Sequence, residues 1–428
     1  MLKIIKNIMK EDFMHYVWRF KLLDTNNLIT TAGEKIEIIT FGSYLQIAGP
    51  DFFNAQIKID NQLWAGNIEM HVKSSDWYLH NHQSDKNYDN VILHVVWEHD
   101  IDVFYPSNKK IPVLILKNYV APGLVSNYLN IIDNKNGIPC QNQISDVPSH
   151  VWAFFKERLF IERLESKAMY IENYLHSFQN NWEYVTFIAI CKGFGLKTNA
   201  TIFEQMALKI PFSMYLKIKS SRIQLEALFF GLLNLIPNEP INEYEVQLQT
   251  EFDFLCNKFK LEPITVTPSF YKHRPDNFPT IRLAQLASVL ARTSNIFDEI
   301  LNAKSVTNFY ILFDVTASDY WTNHYVFQAA TTKRVKKISK SFIQLLIINT
   351  IIPILYAYNK SVGNENIDNL IQLINFLPPE KNNAINFFDK LQVPVNSAFD
   401  SQALLQLKNN YCDKLQCLHC AVGKYIIK

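Results

Sequence analysis

The hydrophobic period of this chain changes partway along its length, and no single-layer fold accommodates both periods. Between about residues 35 and 117 the apolar side chains alternate or run on, as in strands. Lys35-Ile36-Glu37-Ile38-Ile39-Thr40-Phe41, Gln56-Ile57-Lys58-Ile59 and Gly66-Asn67-Ile68-Glu69-Met70-His71-Val72-Lys73 alternate. Val91-Ile92-Leu93-His94-Val95-Val96-Trp97 and Pro112-Val113-Leu114-Ile115-Leu116 are nearly continuous. Asp60-Asn61 is turn chemistry for a hairpin. Ahead of the strands, residues 11–23 space Phe13, Val17 and Phe20 as on a helix. From about residue 151 the period becomes helical: segments 152–176, 223–236, 244–261, 280–292, 339–358, 367–376 and 401–410 read as helices punctuated by Pro, Asn and Asp. The pattern predicts an α+β chain, with an N-terminal α/β sheet domain over residues 1–133 and a larger all-helical domain over 134–428. The join is expected near Asn134-Lys135-Asn136-Gly137.

Composition narrows the class. A chain of 428 residues that is 48% apolar can bury a sizeable core and is not low-complexity. A formal net charge of +2 gives no global basic field, so any nucleic-acid contact must use local patches. Residues 1–10 carry lysines without the apolar stretch of a secretory signal. The longest apolar run, 343–358, is broken by Asn349 and Pro353 and reads as a buried, kinked helix. Six cysteines are too few for a disulfide scaffold, so a reducing, cytoplasmic setting and no membrane association are expected.

Chemistry concentrates in one window. On a strand Glu69, His71 and Lys73 share one face, and Ile68, Met70 and Val72 the other. A hairpin would bring Asp51 of Gly49-Pro50-Asp51-Phe52 alongside Glu69. Two carboxylates suit a hard cation such as Mg²⁺ or Mn²⁺ and leave positions for water and a phosphate. Five of the eleven histidines, His71, His80, His82, His94 and His99, fall in this stretch. His71 is a candidate ligand or base and Lys73 a candidate positive charge; His80, His82 and His94 are further candidate ligands. Their participation would favour a transition metal such as Zn²⁺. A cupin-like reading of His80-x-His82 lacks the glycine framework.

Two further groups stand apart. Cys412-x4-Cys417-x2-Cys420 has the spacing of a Zn²⁺ or iron–sulfur knuckle, with Cys140 the expected fourth ligand and His419 a poorer one. Arg274 and Arg282 flank Pro279 at a helix start, an arrangement suited either to a phosphate or to bracing the loop. Lys333, Arg334, Lys336, Lys337 and Lys340 are expected on a helix as a basic face.

These segments together resemble an uncharacterised bacterial family, domain of unknown function 2851. The resemblance runs from His15-Tyr16-Val17-Trp18 through Gly49-Pro50-Asp51-Phe52, Trp64-Ala65-Gly66-Asn67-Ile68-Glu69-Met70-His71, Ser75-Asp76-Trp77 and His80-x-His82. It continues through Leu93-His94-Val95-Val96, Arg274-Pro275-x-Asn277-x-Pro279 and Asn349-x-x-x-Pro353 to the Cys-rich tail. The N-terminal part also resembles the PD-(D/E)-x-K nuclease superfamily, with His71 where that motif has Lys. This second resemblance implies a restriction-endonuclease-like sheet and metal-dependent cleavage of DNA or RNA, centred on Asp51 and Glu69. The alternative it leaves open is a degenerate nuclease core that only binds nucleic acid or protein.

Overall fold

The computed structural model describes residues 9–45, 48–134, 137–364 and 366–428. It forms two compact units. One comprises residues 1–155 with 390–393 and 407–428; the other comprises 156–389 with 394–406. The join expected at 134–137 differs: Lys135 and Asn136 lie outside the described residues, and the division falls between Phe155 and Lys156. The tail also differs from expectation, for residues 407–428 belong to the unit that holds the sheet. The reason is apolar burial: Cys417, Leu418 and Ile427 join the sheet unit's core, and Asn127 Nδ2 donates to the Ile427 carbonyl.

The sheet unit is built on β1 (Leu28–Ile29), β2 (Lys35–Thr40), β3 (Ser43–Tyr44), β4 (Phe52–Ile59), β5 (Gln62–Lys73), β6 (Val91–Glu98) and β7 (Val113–Ile115). Its order is β1-β2-β4-β5-β6-β7, with β3 paired to β4. The first four strands of that path are antiparallel neighbours; β5, β6 and β7 are parallel. The antiparallel half follows from short turns, since Asp60-Asn61 joins β4 to β5 with Ile59 opposite Gln62. Asp60 takes the left-handed conformation (φ 49°) that such a turn requires, and its carboxylate accepts the Lys35 N–H. The parallel half needs a crossover, supplied by residues 74–90.

Side-chain alternation then sorts the chemistry. Ile68 and Met70 on β5 and Leu93, Val95 and Trp97 on β6 enter one core with Phe13, Met14 and Val17 of the helix Glu11–Arg19. That helix ends four residues short of the expected span, because Lys21 turns left-handed at φ 54°. On the other face the register sets Glu69 beside His94 and His71 beside Val96. β6 is buried on both faces, which explains its unbroken apolar run.

In the helical unit, Trp182–Phe194, Arg222–Leu232 and Pro279–Arg292 bury apolar residues on nearly every side. Pro279 occupies the first helical position, as its geometry favours. The run expected to kink does so as a π-helical segment, Ile347–Ile351, between Lys340–Leu346 and Ile352–Ser361. Pro353 has no N–H to offer the Asn349 carbonyl, so the hydrogen-bond register slips there. Together these 22 residues, Lys340–Ser361, are long and apolar enough to cross a membrane, and they are mostly buried in this unit. The basic segment is not helical: residues 332–338 are largely irregular. Three of its charges are engaged by other segments, Arg334 with Asp276, Lys337 with Asp314 and buried Lys336 with the Thr322 carbonyl.

Leu93 is fully buried on β6 immediately before His94, so its packing also holds the site's backing strand. Leu93→Ala is expected to destabilise the sheet unit by about 3 kcal/mol, measured by urea unfolding.

Candidate metal centre

The site begins with a turn. Gly49 adopts φ 115°, a conformation open to glycine, and the chain swings through Pro50 to set Asp51 at the head of β4. Phe52 lies opposite Ile68, so Asp51 arrives opposite Glu69. Two reciprocal hydrogen bonds lock the pair: the Asp51 N–H donates to Glu69 Oε2 (3.2 Å), and the Met70 N–H donates to Asp51 Oδ2 (3.0 Å). His15, from the helix Glu11–Arg19, reaches the same Asp51 oxygen with Nε2 at 3.1 Å.

The crossover supplies the rest. Trp77, 1% exposed, anchors it, with its indole packed near His82, His94 and Tyr88. Asn81 turns left-handed (φ 65°) between His80 and His82, and Tyr88 stacks on the His82 ring at 3.8 Å. His71, His80 and His82 each present a ring nitrogen such that all three lie within 4.8 Å of one another. Glu69 Oε1 is 3.3 Å from His82 Nε2 and 3.5 Å from His71 Nε2. His71 Nδ1 meets His94 Nε2 at 2.8 Å, so His94 stands behind His71 and orients it.

Electrostatics agree with a cation-binding role. Burial, then the neighbouring Asp51, pushes the Glu69 carboxyl up to about 9. Burial, then the surrounding imidazoles, pulls His71 down to about 2, and burial pulls His94 down to about 3. His82 is lowered by burial too. Neutral imidazoles are the form that binds metal. His15 goes the other way: burial lowers it, but its contact with Asp51 and the charges of Asp51, Glu11 and Asp12 outweigh that and raise it. Glu11 is raised by burial and by Asp51. Three imidazoles and a carboxylate, with a second carboxylate clamped alongside, are a donor set for a borderline transition metal more than for Mg²⁺.

Of the residues picked out in sequence, Asp51, Glu69, His71, His80 and His82 converge. His94 supports the cluster from behind. Lys73 does not enter it: its side chain is exposed at the strand end, where its N–H donates to Asp76. His99 pairs with Ser74 and Asp102 instead. Glu11 and His15 were absent from the sequence-based site, because the helix bearing them lies more than thirty residues before Asp51. Only the fold joins them. Arg274 and Arg282 stay in the helical unit. Arg282 is 4% exposed, bonded to Asn277 and Gln285, with its guanidinium 3.5 Å above the Phe342 ring; burial lowers it to about 9. That guanidinium braces the loop through its bonds to Asn277 and Gln285, while Arg274 is exposed. The four cysteines of the sequence-based metal site are all buried and all in the sheet unit.

A family model described as Protein of unknown function (DUF2851) matches residues 11–383, and the chain belongs to that family. The matched stretch starts at Glu11 and takes in every member of the cluster, but ends before the cysteine tail. No curated protein and no solved structure matches the chain.

The pH behaviour in chelator follows from signs. With its folded pKa near 9, Glu69 holds a proton that the unfolded chain has released above the ordinary carboxylate range. It therefore weakens the fold increasingly as pH rises from about 5 towards 9. Glu69→Gln should be more stable than wild type at pH 8 in EDTA, by thermal denaturation, with the advantage vanishing near pH 4. An advantage that stays constant with pH would contradict the assignment.

Proposed function

We propose that the sheet unit is a metal-dependent phosphodiester hydrolase of the nuclease type, acting on DNA or RNA. The observation that carries this reading is the convergence of Asp51 and Glu69 with His71, His80 and His82 around one point. Glu69 and the three histidines would hold a divalent ion, Mn²⁺ or Zn²⁺ in preference to Mg²⁺, with Asp51 alongside. Such an ion supplies Lewis acidity and lowers the pKa of bound water. The protein's own groups do the remainder. His94 holds the His71 ring in one orientation, and Tyr88 and Trp77 hold His82. His15, raised by its contact with Asp51, is a candidate proton carrier for a leaving oxygen.

One observation favours a second reading. Lys73 is exposed, and among the described residues no lysine or arginine is placed on Asp51 or Glu69 to neutralise a phosphate. The alternative is a metal-bound module that binds nucleic acid or protein without cleaving it.

Two measurements separate these readings. Calorimetric titration with Mn²⁺ or Zn²⁺ should show binding that Glu69→Ala and His82→Ala abolish. Cleavage of single- and double-stranded DNA and RNA should require the metal and fall at least a hundredfold in Asp51→Ala and Glu69→Ala. Metal binding with no cleavage of any substrate supports the module, and full activity in both carboxylate variants rules out this site.

A further inference from the structure

A second set of metal-ligating side chains lies in the same unit, outside the acidic and histidine cluster. Cys140 follows the Gly137-Ile138-Pro139 turn, whereas Cys412, Cys417 and Cys420 belong to the C-terminal segment, more than 270 residues later. The fold places all four in the sheet unit within electrostatic reach of one another, each between 6% and 8% exposed. The thiols feel one another. Burial, then Cys420 and Cys417, pushes Cys140 up to about 12; burial, then Cys420, pushes Cys417 up to about 12; Cys412 is raised by burial, then by Cys420, Cys140 and Cys417. Cys191 and Cys256 are raised by burial without any thiol contributing, the first in the apolar core of its helix.

The backbone around the trio is shaped for ligation. The Leu415 N–H returns to the Cys412 carbonyl, and the Cys420 N–H returns to the Cys417 carbonyl at 3.3 Å. The Gly423 N–H points at Cys420 Sγ at 3.5 Å, a donor that stabilises sulfur in its thiolate form. Gly423 has no alternative, since a Cβ there would lie 2.2 Å from the Cys417 carbonyl oxygen. His419 is exposed and does not compete as a ligand. Apolar packing alone accounts for buried thiols on helices such as Cys191. It does not account for four buried thiols drawn from two distant segments, with Cys140, Cys417 and Cys420 on turns or bends and Cys412 at a helix end.

We infer that Cys140, Cys412, Cys417 and Cys420 hold a thiophilic metal centre, a zinc ion or an iron–sulfur cluster, which staples the C-terminal segment to the sheet unit. Four thiolates suit either group, and each thiol gives its proton to solvent as it binds. The staple does not depend on the hydrolase reading.

The test uses the full chain purified without oxygen or chelator, in wild type and in a Glu69→Gln/His82→Ala background that disables the other site. Metal analysis and visible absorption should find one centre per chain in both. A colourless protein containing zinc identifies the ion; a brown protein with iron and sulfide identifies the cluster. Cys140→Ser and Cys417→Ser should lose it, and Cys256→Ser should keep it. If the serine variants do not fold, an organomercurial added to the background protein should release metal as the thiols react. A background protein free of zinc and iron, serine variants with a full metal load, or thiols that react without releasing metal would each overturn the inference.

Discussion

The pair of hydrogen bonds between Asp51 and the Glu69–Met70 segment is the constraint on which the site depends. Each is a side-chain carboxylate accepting a backbone N–H from the other segment, so backbone amides hold the two acidic residues together. Two carboxylates so close repel, and burial makes the repulsion costlier, which is why Glu69 is driven so far up. A fold that keeps this arrangement has stored a strong preference for positive charge at that point. The crossover from β5 to β6 answers it with imidazoles and not with lysine or arginine. Of these two rings, His80 and His82, His82 is lowered by burial, which favours the neutral form able to take a metal.

The parallel connection from β5 to β6 makes this possible. A tight hairpin would have left no chain to arch over the strand ends. The seventeen residues from 74 to 90 instead carry Trp77, His80, His82 and Tyr88 back over Glu69. The start of that excursion is tied down at Ser74, whose hydroxyl is bonded to Asp100. On the opposite sheet face the same two strands contribute Ile68, Met70, Leu93 and Val95 to the core, so packing and chemistry share one backbone.

Much of the sheet was legible in the sequence because strand alternation is a local property. β2, β4, β5, β6 and β7 fall within a few residues of their alternating or continuous runs, and Asp60-Asn61 marks its turn. Helices with an apolar stripe were equally plain. The helices Leu196–Lys209 and Phe212–Ile218 escaped notice, since their punctuation is weak and tertiary packing supplies their stability. Charge was the least legible feature. A run such as Lys333 to Lys340 suggests a solvated face, yet Lys336 is buried and its neighbours are paired with Asp276 and Asp314. Partners of that kind come from distant segments and leave no local trace.

The sequence by itself determined the α+β class, the order of sheet before helices, the placing of Glu69 and His71 on one strand face, and the Cys-x4-Cys-x2-Cys spacing. All of these are set by residues close together along the chain, where backbone geometry alone dictates which side chains share a face. Only the tertiary structure decided that Glu11 and His15 join the acidic cluster, that His94 stands behind His71, that Lys73 and Arg282 take no part, and that the tail belongs to the sheet. Each of these depends on which distant surfaces bury one another, and burial is a property of the packed chain as a whole.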